Sequence, residues 1–217
     1  STAPCRAVLH GTLRLIRTVG VIYQDAGSLG FLRGLEKRLR CDADLVAHPT
    51  AIGKTQRLPR QQTRQAWRFF SKKGVDAVVR FTDADRRPWS DVRRNELANV
   101  PSEVQSLWIC AVAVNNMEDW LCLDPKYLAL QLQLGESALA NPQNRTGIIK
   151  RAIGQQGQNR ERPSDVVERI VVSAPPSVFR TWLRDDSLRA FYVECRNAAK
   201  RAGCDTPNEV DDGGTSD

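Results

Sequence analysis

Short apolar runs alternate along the chain with amphipathic stretches, the pattern of a sheet carrying helices on its faces. A first strand is expected over residues 18–23, followed by the turn Gln24-Asp25-Ala26-Gly27-Ser28. The next segment, 29–40, reads as a helix with Phe31, Leu32, Leu35 and Leu39 on one stripe and Arg33, Lys37, Arg38 and Arg40 off it. A short second strand is expected over 44–47, a loop over 49–59, and a helix over 60–72 that Gly74 terminates in the left-handed conformation glycine tolerates. Residues 77–82 read as a third strand, and 86–99 begin as a loop around Pro88 and then turn helical. The run 107–114 is apolar apart from its ends, as a buried parallel strand is. Beyond it a helical turn carries Trp120, Leu121 and Leu123 inward, and Pro125 starts a helix reaching about residue 134.

This order predicts an α/β fold: a central, mostly parallel four-stranded sheet flanked by helices within residues 1–134. Residues 135–163, rich in Gln, Asn, Arg and Gly and without sustained periodicity, are expected to form a flexible basic loop. Residues 164–204 read as two or three helices capping the sheet, with Trp182, Leu183, Leu188, Phe191, Tyr192 and Val193 as apolar faces. The segment 205–217 is acidic, lacks core-forming residues and is expected to be disordered.

Composition changes this picture little. At 217 residues, with 41% hydrophobic and 26% charged side chains, the chain suits one globular domain with appendages. No apolar run approaches the ~20 residues that cross a bilayer, and there is no hydrophobic leader, so a cytoplasmic protein away from membranes is expected. The six cysteines are far apart, no CxxC pair occurs, and His10 and His48 are the two histidines, which argues against zinc and against a disulfide framework. Cys110 and Cys122 read as small buried hydrophobes. The net charge of +7, carried more by arginine than by lysine, fits a polyanionic partner, although a solvated basic surface accounts for it equally well.

The candidate chemistry lies where strands end. The third strand runs into Asp83 and Asp85, which share a side if the extended geometry continues, and two like charges so close favour a divalent cation between them. An Asp-rich turn is the competing explanation. If the strands are parallel, Gln24 and Asp25, then Asp83 and Asp85, then Glu118, Asp119 and Asp124 open on one edge of the sheet. Oxygen ligands without nearby cysteine or histidine suit Mg²⁺ or Mn²⁺. Glu118 and Asp119 also serve as helix N-terminal charges, Asp124 before Pro125 reads as an N-cap, and Trp120 reads as core.

Strand, acidic position, Gly/Ser turn and helix, then strand and Asp-x-Asp, resembles the Toprim domain of topoisomerases, primases and OLD-type defence nucleases. The segment Met117-Glu118-Asp119-Trp120-Leu121-Cys122-Leu123-Asp124 resembles the Glu-x-Trp-x-Leu-x-Asp signature of small bacterial Toprim-like proteins. The resemblance spans residues 19–134 and implies a divalent-metal-dependent nuclease with Mg²⁺ or Mn²⁺ as cofactor, nucleic acid as substrate, a role in anti-phage defence, an ATPase partner and self-association. It also implies roles by position: Asp83 and Asp85 as metal ligands, Glu118 as a further acidic group of the same edge, and position 24 as general acid/base.

Position 24 holds glutamine where the family has glutamate, and an amide neither carries a proton at neutral pH nor ligates a metal as an anion. Three readings follow: a Glu-to-Gln replacement that traps substrate, which near-isostery favours; Asp25 supplying the missing carboxylate and serving as a ligand; or a non-catalytic nucleic-acid-binding or regulatory subunit. Arg86, Arg87, Arg93 and Arg94 follow the Asp-x-Asp and are candidates for the nucleic-acid backbone, with a solvated helix face as the alternative. Arg145, Lys150, Arg151, Arg160 and Arg162 offer a second polyanion contact, and Trp89 and Tyr127 could stack on bases unless they are core. Gly53-Lys54-Thr55 matches the end of a P-loop but lacks its upstream glycine and strand; Lys54 remains a basic candidate for the backbone. A receiver-type domain would need a lysine at the end of a later strand, and no suitable one follows the strand at 107–114.

Overall fold

The four apolar runs pair into one sheet, ordered β2-β1-β3-β4 with every pair parallel: β1 (Arg17–Ile22), β2 (Ala43–Ala47), β3 (Ala77–Asp83) and β4 (Trp108–Ala113). The computed structural model describes residues 17–23, 25–41, 43–48, 58–135, 137–158 and 161–207. The crossovers are α1 (Ala26–Arg38), α2 (Arg60–Lys72) and α3 (Trp89–Ala98). After β4 come α4 (Met117–Leu121), α5 (Pro125–Gln131), α6 (Pro142–Gln158), α7 (Pro163–Ser173), α8 (Pro176–Trp182) and α9 (Asp186–Arg201). The expected α/β architecture with a parallel sheet between helices is the observed one.

Strand alternation divides the core in two. Val21, Val79, Phe81, Ile109 and Ala111 point to the larger core, shared with α1 and α4–α9. Ile22, Val78, Cys110 and Val112 point the other way, onto Ala66 and Phe70 of α2 and Val92 of α3. On this second face Arg80 is wholly buried, its Nε 3.8 Å from Glu96 Oε2, and burial lowers its pKa while Glu96 opposes that shift. Gly74 ends α2 at φ +67°, with Gly74 N donating to Ser71 O and Val75 N to Phe70 O, a Schellman closure that explains the glycine.

Helix α1 lies against α7 with glycine at the contact. A Cβ on Gly30 would collide with the Ser164 carbonyl oxygen, and one on Gly34 would lie 2.5 Å from Val171 Cβ. Helix α9 packs on β4, and Arg93 of α3 pairs with Glu194 of α9, joining the helices of the two faces past the edge strand.

Two expectations need correction. Much of the segment 135–163, expected as a flexible loop, is helix α6: Ile149, Ala152 and Ile153 lie at helical spacing and are buried in the larger core. Gly147, Gly154 and the surrounding polar residues mask that spacing in the sequence. The argument against disulfides fails at one pair, for Cys41 after α1 is bonded to Cys204 after α9, with Cα atoms 5.4 Å apart. Cys110 and Cys122 are buried free thiols as expected, and so is Cys195. Most of the segment 205–217 lies outside the described residues.

Gly30→Ala and Gly34→Ala should each lower the unfolding free energy by about 1–3 kcal/mol through overpacking, against the gain of about 1 kcal/mol that alanine brings to an unhindered helix. Urea denaturation checks this. The disulfide closes a separation of 163 residues, so its loss through reduction or Cys204→Ser should cost up to about 5 kcal/mol by the chain-entropy account. The same denaturation with and without a thiol reductant measures it.

Candidate functional site

Parallel pairing brings the C-terminal ends of the strands to one rim, and the strand order reverses between β1 and β3, where such sheets open their ligand crevice. Asp25 follows β1 and Asp83 closes β3, so they flank that crevice. Asp25 is the N-cap of α1, with Oδ1 accepting from Ser28 N at 2.9 Å and from Ser28 Oγ at 3.1 Å. A Cβ on Gly27 would lie 2.6 Å from Met117 Cε and 3.2 Å from Asp25 Oδ1, so a bare backbone there lets the first turn of α1 lie against α4.

The extended geometry stops at Asp83. Ala84 N still donates to Ala113 O at 2.8 Å, but Asp85 at φ +48° and Arg86 at φ +66° turn the chain through left-handed conformations. Strand alternation therefore does not place Asp83 and Asp85 on one side, as the sequence suggested; a tight turn keeps the two carboxylates near each other instead. Helix α4 supplies Glu118 in its first turn, with Asn116 Oδ1 accepting from Asp119 N at 3.2 Å as its cap.

These carboxylates lie within electrostatic reach of one another. Burial, then the charges of Asp85, Asp25 and Glu118, push the Asp83 carboxyl up to about 7. Glu118 is also raised, first by burial, with Asp25 adding to the shift and Lys150 opposing it. Only 4% of Glu118 is exposed, and its Oε2 has no hydrogen-bond partner among the described residues. Helix α6 brings positive charge to the same rim: Lys150 Nζ lies 3.7 Å from Glu118 Oε1 and Arg145 Nη2 lies 3.7 Å from Asp119 Oδ1. Asn116 Nδ2 donates to Thr146 Oγ1 at 3.5 Å, a further tie between α4 and α6.

By donor type the rim suits a hard divalent cation: its donors are carboxylate oxygens, and one of them, Glu118 Oε2, is buried without a hydrogen-bond partner among the described residues. Among the described residues no three His, Cys, Asp or Glu side chains stand close enough to hold an ion between them. Asp25, Asp83, Asp85 and Glu118 thus line the rim without closing into a ligand set. Gln24 and Lys54 lie outside the described residues.

The basic candidates divide. Arg86 and Arg87 are exposed in the turn after Asp85, with Arg87 Nε donating to Ala84 O at 3.0 Å. Arg94 is exposed beside Asp91, and Arg93 is committed to Glu194. Arg162 pairs with Asp165. The aromatic residues are structural: Trp120 is buried with Nε1 donating to Ser187 Oγ at 3.0 Å, Tyr127 donates from its hydroxyl to Ile170 O at 2.7 Å, and Trp89 is half-buried against the smaller core. Asp124 caps α5 by accepting from Tyr127 N at 3.0 Å. The place of Lys150 and Arg145 beside Glu118 and Asp119 was hidden because their helix read as loop; Ile149, Ala152 and Ile153 are the signal that could have revealed it.

Because the Asp83 carboxyl titrates higher in the folded chain than its ordinary 3.8, the folded state holds the extra proton and its stability should fall as pH rises from about 4 to 7. Between pH 5 and 8, Asp83→Asn should gain on the unmodified chain by at least about 2–4 °C in Tm, the shift that 1 kcal/mol makes in a chain of this size. Thermal melts of both proteins without divalent ions, at the two pH values, give the comparison.

Compared with known proteins, the chain matches no family model, no curated protein and no solved structure.

Proposed function

We propose that the chain is a divalent-metal-dependent nuclease of the Toprim kind that cleaves the phosphodiester backbone of DNA or RNA. The observation that carries this reading is the gathering of Asp25, Asp83, Asp85 and Glu118 from the ends of β1 and β3 and from α4, with the buried Glu118 Oε2 unpartnered. Asp83 and Asp85 would hold Mg²⁺ or Mn²⁺, with Glu118 and Asp25 beside them. Such an ion, when bound, polarises a phosphodiester and lowers the pKa of a water.

The chain's own residues have separable tasks. Arg86 and Arg87, exposed beside the rim, would take backbone phosphates, giving salt-sensitive binding with little sequence preference. Position 24, one residue before the cap of α1, would move the proton when it is glutamate. No helix among the described residues is long and apolar enough to cross a membrane. A cytoplasmic site of action, service in anti-phage defence, an ATPase partner and self-association belong to the same proposal and derive from the Toprim resemblance.

Gln24 favours a second reading, a non-catalytic nucleic-acid-binding or regulatory subunit, because an amide carries no proton at neutral pH. One assay separates the two. The chain and its Gln24→Glu variant are incubated with single-stranded DNA, duplex DNA and RNA in Mg²⁺, Mn²⁺ or EDTA. The nuclease reading expects Gln24→Glu to cleave about 10²–10⁴-fold faster than the unmodified chain, the usual worth of a general acid or base, with EDTA and Asp83→Asn each abolishing the gain. Binding of nucleic acid that persists in EDTA, with no cleavage by either protein, selects the subunit reading.

A further inference from the structure

Lys150 stands apart from the other basic residues near the rim. Its ammonium lies 3.7 Å from Glu118 Oε1, and its charge also offsets the repulsion felt by Asp83. The two partners differ sharply in freedom. The Glu118 side chain is 6% exposed and fixed in the first turn of α4, whereas the Lys150 side chain is 54% exposed on a four-carbon stem.

A carboxylate this buried needs a counter-charge, and one of its oxygens faces Lys150 while the other has no partner. We infer that Lys150 is an exchangeable counter-ion, which neutralises Glu118 in the cation-free protein and swings into solvent when a divalent cation takes that carboxylate. A divalent ion on Glu118 and an ammonium at ion-pair distance from the same carboxylate repel each other strongly in partly buried surroundings. Lys150 can leave at small cost because its side chain is already more than half exposed. Arg145 on Asp119 and Thr146 on Asn116 keep α6 seated on α4 while the lysine moves. Occupancy of the rim is thereby graded by an intramolecular competitor, and the charge released by the exchange becomes available at the edge where a polyanion would lie. The inference rests on the cation reading of the rim.

The test compares the unmodified chain, Lys150→Met and Lys150→Arg, without nucleic acid. The metal-free Tm is measured first, then Mn²⁺ affinity by calorimetry and by electron paramagnetic resonance of the free ion. Lys150→Met should melt several degrees lower without metal, because Glu118 loses its counter-charge. It should also bind Mn²⁺ roughly tenfold more tightly, within the usual range for coupling between neighbouring sites. Lys150→Arg should return both values toward those of the unmodified chain. Mn²⁺ binding that is unchanged or weaker in Lys150→Met overturns the exchange, and so does an unchanged metal-free Tm. If Lys150→Met melts lower yet none of the three proteins binds Mn²⁺, the ion pair stands, while the cation reading and the exchange built on it both fall.

Discussion

Burial of the Asp83 and Glu118 carboxyls at one rim of the sheet, with Asp85 and Asp25 nearby, is the constraint around which the site is arranged. A parallel sheet brings its strand ends to one rim, and here those ends and the adjoining helix carry carboxylates. A buried carboxyl such as that of Glu118 would otherwise gain by moving into water. The four groups stay because each is tied by local geometry: Asp25 caps α1, Asp83 is held in the β3–β4 ladder, Asp85 sits in a left-handed turn, and Glu118 occupies the first turn of a capped helix. A cleft where burial and neighbouring charge shift a carboxyl this far is the place in the molecule to look for function.

The rigidity of that edge comes from the larger core. Trp120, two residues beyond Glu118, lies 5.4 Å from the Phe31 ring of α1 and stacks at 5.9 Å on Phe191 of α9. Its indole nitrogen is bound to Ser187, whose hydroxyl is in turn held by Asp185, the cap of α9. A single buried side chain therefore registers the helix bearing Glu118 against the helix that begins at Asp25. The glycine contact between α1 and α7 serves the same end, since α7 supplies the wall on which α1 rests. Apolar packing here sets distances between charges.

Much of this was legible in the chain. The strands are visible because their apolar runs are short and sharply bounded, as at Val78–Phe81 before Asp83, and α2 is bounded as expected because Gly74 supplies an unambiguous stop. That β1 and β3 deliver acidic residues to one rim follows from parallel pairing, which the sequence reading supposed, without any side-chain geometry. What escaped had a faint local signature or none. Helix α6 escaped because its buried stripe is only Ile149, Ala152 and Ile153, diluted by glycine and glutamine, and with it went the position of Lys150 against Glu118. The Arg93–Glu194 pair and the Cys41–Cys204 bond join residues about half a chain or more apart, and pairing at that range follows from tertiary structure, which spacing does not encode.

The bond between Cys41 and Cys204 has a topological consequence. It turns the chain from the end of α1 to just beyond α9 into a covalent ring that contains three of the four strands and eight of the nine α-helices among the described residues. One proteolytic cut anywhere inside this ring opens it without separating the pieces. The severed halves remain a single molecule, able to re-pair at intramolecular concentration, for as long as the surroundings stay oxidising enough to preserve the link.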